Sequence, residues 1–116
     1  MPRWTSVMSN TLGASCADIM GTLADETRLK VVELLLARAR NVRDLNGELN
    51  MDATLLSHHL RVLREAGLVE AKRSGRFLVY SVSPRVKSAR RGAELDFGCC
   101  TLRFSAGTGS KAALRA

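Results

Sequence analysis

Apolar positions recur at helical spacing through the first half of the chain and in short strand-like runs afterwards. In CADIMGTL, residues 16–23, Ile19, Met20 and Leu23 gather on one side and predict a short helix. Asp25 suits the N-cap of the next segment, where its carboxylate can accept from first-turn N–H groups. Leu29, Val32, Leu35 and Leu36 of ETRLKVVELLLARA then form a core-facing stripe. VRDLNGEL sets Leu45 and Leu49 four apart, on one face of a third helix. Asn50 stands where a tight turn wants a left-handed residue, Asp52 can cap ATLLSHHLRVLREA, and Gly67 can end it. Two short helices joined by such a turn predict a helix-turn-helix.

The period changes after Gly67. LVEAKR and RFLVYSV are short runs rich in Val, Leu, Phe and Tyr, and Ser74-Gly75 between them predicts a hairpin turn. Pro84 closes the second strand. RVKSARRGAELDF, interrupted by Gly92 and sparse in apolar spacing, is expected to form a final helix. Residues 1–15 are expected to be a loose N-terminal arm and residues 105–116 a flexible tail. Between them, residues 16–104 form one domain: mainly α with a β-hairpin wing, a winged helix-turn-helix. A chain of 116 residues buries a limited core, and a homodimer would cover more apolar surface.

Charge then narrows the partner. Eighteen Lys and Arg against eleven Asp and Glu give +7, which favours a polyanion, nucleic acid or an anionic membrane. No stretch is long and apolar enough to span a bilayer, and the first residues lack the apolar block of a secretory signal. A cytoplasmic location is expected, where cysteines usually stay reduced. On the fourth helix Leu56, Leu60 and Leu63 face the core, while Thr54, Ser57, His58, Arg61 and Glu65 gather opposite. Hydroxyl, imidazole and guanidinium groups are the types that meet base edges and phosphates in a major groove. Lys72, Arg73 and Arg76 crowd the wing tip, where cations can follow the backbone into the adjacent minor groove. Together these features favour double-stranded DNA over a membrane, and one Trp, one Tyr and three Phe offer few platforms for single strands. His59 lies at the edge of the leucine stripe and is expected to be partly buried and hydrogen-bonded. Adjacent histidines point about 100° apart on a helix, so His58 and His59 do not suggest a shared ion.

From LADETRLKVVELLL to LSHHLRVLREAGLVEAKRSGRFLVYSVSP the chain resembles the ArsR/SmtB family of bacterial metalloregulators. Ser57-His58-His59-Leu60, the run Leu63 to Val69 and the Gly75 wing carry the resemblance most specifically. It implies a winged-helix homodimer that binds an inverted-repeat operator, represses transcription and loosens its grip when an inducer binds. It further implies pairing through the first and last helices, which would bring Cys16 and the Cys99-Cys100 region towards a shared interface. Two-fold symmetry would set the recognition helices ~34 Å apart. Two known sensing patterns do not carry over. Asn41-Val42-Arg43-Asp44-Leu45 stands where arsenic-responsive members often have Cys-Val-Cys-Asp-Leu, and residues 84–104 contain no His for a zinc site.

The remaining chemistry lies in DFGCCTLRF. Thiolates prefer soft ions, and a trivalent arsenic or antimony centre needs three sulfurs, which Cys99, Cys100 and Cys16 can supply if the terminal segments meet. Arg90, Arg91 and Arg103 are near enough in sequence to favour thiolates. Some family members sense arsenic through vicinal cysteines near the C-terminus, and the pattern is similar to theirs. As(III) is the expected inducer; Sb(III), Hg, Cd or Cu, thiol oxidation and simple burial are the alternatives. No phosphate-type loop or Cys-x-x-Cys helix start accompanies the dithiol, so no enzyme activity, catalytic residue or organic cofactor is expected.

Overall fold

The computed structural model describes residues 15–86 and 94–104. Four helices come first: α1 Cys16–Leu23, α2 Glu26–Ala37, α3 Val42–Leu49 and α4 Ala53–Glu65, with the short strand β1 Arg40–Asn41 between α2 and α3. Strands β2 Val69–Ser74 and β3 Phe77–Val82 follow, then β4 Glu94–Asp96 and β5 Thr101–Arg103.

Each helix starts on a polar residue that accepts from its first turn. Ser15 Oγ accepts from Asp18 N–H, Asp25 Oδ1 from Arg28 N–H, Asn41 Oδ1 from Asp44 N–H and Asp52 Oδ2 from Leu55 N–H. The α3–α4 turn passes through Asn50 at φ 50, ψ 54, the left-handed conformation that Asn tolerates. Gly67, at φ 82, donates to Arg64 C=O beyond the end of α4, while Leu68 donates to Leu63 C=O.

The three-stranded sheet runs β1-β3-β2, all antiparallel, with Val69 opposite Val82 and Ser74 opposite Phe77. That register makes Gly75-Arg76 the turn, one residue later than the Ser74-Gly75 expected, because Gly75 supplies the positive φ (63) at the first turn position. The core joins Ile19 and Leu23 of α1, Val31, Val32, Leu35 and Leu36 of α2, Leu45, Leu56, Leu60 and Leu63, and Val69, Tyr80 and Val82 of the sheet. Met20, expected on the buried side of α1, is 43% exposed, because Ile19 and Leu23, four apart, stack on one face and Met20 points about 100° away from Ile19.

The expected final helix requires correction. Glu94–Asp96 is a strand, paired antiparallel with Thr101–Arg103, and residues 87–93 of the same expected helix lie outside the described residues. The hairpin docks through Leu95 and Phe97, both buried, and through Asp96 N–H, which donates to Val86 C=O at 2.8 Å. Burying the Phe97 ring contributes about 1.5–3 kcal/mol to that docking. The expected arm and tail lie outside the described residues except for Ser15.

Candidate nucleic-acid interface and thiol cluster

Helix α4 buries Leu56, His59, Leu60 and Leu63 and leaves Thr54, Ser57, His58 and Arg61 exposed along the opposite side. Arg61 Nε lies 3.2 Å from Glu65 Oε2, an exposed i,i+4 pair that costs little to open. Lys72, Arg73 and Arg76 are exposed on the wing and make no ion pair among the described residues. Two large apolar side chains that periodicity did not single out are also exposed: Leu55 at the start of α4 and Phe77 beside the wing turn, 47% and 42% exposed. Apolar groups of this kind are a type that thymine methyls accept.

His59 is buried, as its place at the edge of the stripe predicted. Its Nδ1 accepts from Arg28 Nε at 3.2 Å. The same guanidinium donates through Nη1 to Thr22 C=O at 3.1 Å and holds Nη2 3.9 Å from Asp25 Oδ2. The carboxyl of Asp25 sits below its ordinary value, chiefly because the Arg28 backbone N–H donates to it. The charge of Arg28 and the Thr27 N–H add to this, against a desolvation penalty.

The three cysteines converge. Phe97, Gly98, Cys99 and Cys100 form the loop of the β4–β5 hairpin. Phe97 N–H donates to Cys100 C=O, Gly98 takes φ 90, and its N–H donates to Asp96 Oδ1. This tight turn places two consecutive thiols beside Cys16, the first residue of α1, where the free N–H groups of a helix start favour a negatively charged ligand. Cys16 and Cys99, 83 residues apart, are joined as a disulfide with Cα atoms 6.2 Å apart, and Cys100 remains a free thiol. Docking of the hairpin on α1 thus brings Cys16 and Cys99 within disulfide-bonding reach of each other. Cys100 Sγ lies 3.7 Å from Cys16 Sγ and 3.9 Å from Cys99 Sγ, and all three sulfurs fall within 4.8 Å of one another.

Those spacings fit a thiophilic ion. Soft ions prefer thiolates, and Cys100 Sγ already lies beside both other sulfurs; Cys16 and Cys99 become donors only on reduction. Arg103 is not directed at these thiols: its guanidinium is held by Glu94 at 2.9 Å across the hairpin. Arg90 and Arg91 lie outside the described residues. Asn41, where a thiol stands in the arsenic-type pattern, serves instead as the cap of α3.

The family described as bacterial regulatory protein, arsR family, matches residues 25–71, from the α2 cap into β2. Over 68 residues the chain is 38% identical to the HTH-type transcriptional regulator Rv0081 of Mycobacterium tuberculosis, taking in 58% of this chain and 60% of that protein. The crystal structure of Rv0081 aligns with a TM-score of 0.56 over 58% of this chain and 68% of that one. The arsenical resistance operon repressor of Escherichia coli K12 is 40% identical over 65 residues, 55% of this chain and 56% of the repressor. The solution structure of the homodimeric winged helix-turn-helix DNA-binding domain Mb0332 of Mycobacterium bovis is 33% identical, with a TM-score of 0.55 over 58% of this chain and 62% of that domain. In sequence, the chain therefore spans less than two thirds of the Rv0081 regulator and of the arsenical repressor.

Proposed function

The chain belongs to the arsR family of bacterial regulatory proteins, and from that premise we propose that it is a homodimeric repressor released from double-stranded DNA when Cys16, Cys99 and Cys100 capture a thiophilic ion, As(III) foremost. In this reading Thr54, Ser57, His58 and Arg61 meet base edges and phosphates in the major groove. Lys72, Arg73 and Arg76 follow the backbone beside it. The work is done on DNA in the cytoplasm, with no membrane partner and no catalysis.

The observation that carries the ligand assignment is the meeting of three sulfurs from segments 83 residues apart. As(III) or Sb(III) accepts three thiolates and so ties the β4–β5 hairpin to the start of α1. An external thiol reductant supplies two electrons and two protons to Cys16 and Cys99, leaving three donors, two of which the Gly98 turn holds. If the tied arrangement suits the DNA-free dimer better, ligand lowers operator affinity by linkage. The similarity to an arsenical resistance repressor supports this choice of ion.

The test is fluorescence anisotropy of the reduced protein on a labelled duplex taken from upstream of its own gene, titrated with arsenite. Release by arsenite, lost in Cys16→Ser, Cys99→Ser and Cys100→Ser while DNA binding persists, is the expected result. Binding without release would remove As(III) as inducer; no binding would remove the repressor reading.

The Cys16–Cys99 disulfide favours a second reading, in which oxidation of the same thiols replaces the ion. The same duplex separates the two, since release by diamide in the absence of arsenite would support oxidation sensing.

A further inference from the structure

The thiol cluster and the DNA-reading helix occupy different parts of the molecule. Helices α1 and α4 share no extended contact of their own, whereas α2 packs against both. One side chain of α2 reaches each neighbour with a hydrogen bond. Arg28 Nη1 donates to the carbonyl of Thr22 in the last turn of α1, and Arg28 Nε donates to Nδ1 of His59, midway along α4. The Thr22 carbonyl is one of the groups a helix end leaves without an intrahelical partner, so Arg28 satisfies a real vacancy there. His59 is 8% exposed and the Arg28 side chain 20% exposed, so water competes weakly for either bond. Asp25, capping α2 by accepting from Arg28 N–H, steadies the guanidinium from a third side.

We propose that Arg28 and His59 are positioning residues which transmit the state of the thiol cluster to the recognition helix. Cys16 opens α1 and Thr22 lies near its other end, less than two turns on, in a helix too short to bend appreciably between them. A shift of α1 on tying or freeing Cys16 therefore moves the Thr22 carbonyl. The guanidinium is planar, with its donors in a fixed fork, so a move at Nη1 displaces Nε. Nε in turn acts on His59, whose neighbours Ser57, His58 and Arg61 lie on the reading face. Lysine has the charge but no fork, and cannot hold both acceptors in one plane.

This deepens the repressor reading, resting on it for the meaning of the output, but the bridge can be tested without DNA or arsenite. Hydrogen–deuterium exchange is measured on the full chain with the Cys16–Cys99 disulfide closed by diamide and opened by dithiothreitol. In the wild type, opening is expected to change protection of residues 53–65 by about fivefold or more, the lower end of ordinary intersite coupling. Arg28→Lys is expected to keep the change at 16–23 and lose it at 53–65. His59→Asn, which retains an acceptor near the Nδ1 position, is expected to keep most of the response at 53–65, and His59→Leu to abolish it. An equal response at 53–65 in wild type and Arg28→Lys, or no response in the wild type, would overturn the proposal. Failure of arsenite to release DNA with this exchange pattern intact would strike the metalloid reading and leave the bridge standing.

Discussion

Asp25 accepts from the Arg28 N–H, and that bond is the main reason its carboxyl lies below the usual range. A depressed carboxylate contributes stability that is present above its unfolded value, 3.8, and lost as pH falls through the lower folded value. Asp25→Asn keeps a capping oxygen but removes the charge, so urea denaturation of this variant should show a smaller loss of stability between neutral pH and pH below 3.8 than the wild type. Asp25→Ala should cost about 1 kcal/mol at neutral pH, the usual penalty for a lost N-cap. The cap itself was legible in the sequence, because capping depends on residues three positions apart. The contacts Arg28 makes with Thr22 and His59 were not, because they depend on how three helices cross.

At the scale of elements, the β4–β5 hairpin shows a local signal outweighed by its neighbours. AELDF alternates apolar and polar residues, a strand pattern only five residues long at the end of a segment read as a helix. Pairing of Leu95 with Leu102 and burial of Leu95 and Phe97 follow that alternation. Phe97 is therefore the anchor of the turn that presents Cys99 and Cys100. Phe97→Ala should cost about 3–5 kcal/mol in urea denaturation, the range for emptying a buried aromatic site. The same variant should capture arsenite more weakly, as read by protection of its thiols from alkylation, because the turn no longer sits against α1. Helices α1 to α4 behaved differently. Their caps at Asp25 and Asp52 and their stops at Asn50 and Gly67 reinforce the apolar spacing, so local and tertiary preferences agree.

The whole molecule is a cationic surface, and in the proposed complex its wing cations act through phosphate neutralisation. Each phosphate contact adds about 0.9 to the slope of log affinity against log salt on B-form DNA. Replacing Lys72, Arg73 and Arg76 by Gln removes three cations per protomer, so the slope of a dimer should flatten by about 5. Anisotropy at several salt concentrations measures this. Sequence preference should survive the change, since base edges are assigned to Thr54, Ser57, His58 and Arg61 on α4. A flattened slope with lost sequence preference would place the wing among the base-reading groups instead.

The order of α1 to α4 and the wing was set by the sequence itself, through signals that act within a few residues: caps, a left-handed Asn50, stops and a change of period. Composition added the polyanionic partner, since net charge is a sum that folding does not alter. The meeting of Cys16 with Cys99 and Cys100 and the span of Arg28 from α1 to α4 belong to the tertiary structure alone. Each requires segments distant in the chain to be brought together, and the free energy that does so comes from burying Ile19, Leu95 and Phe97 in one core rather than from any local preference.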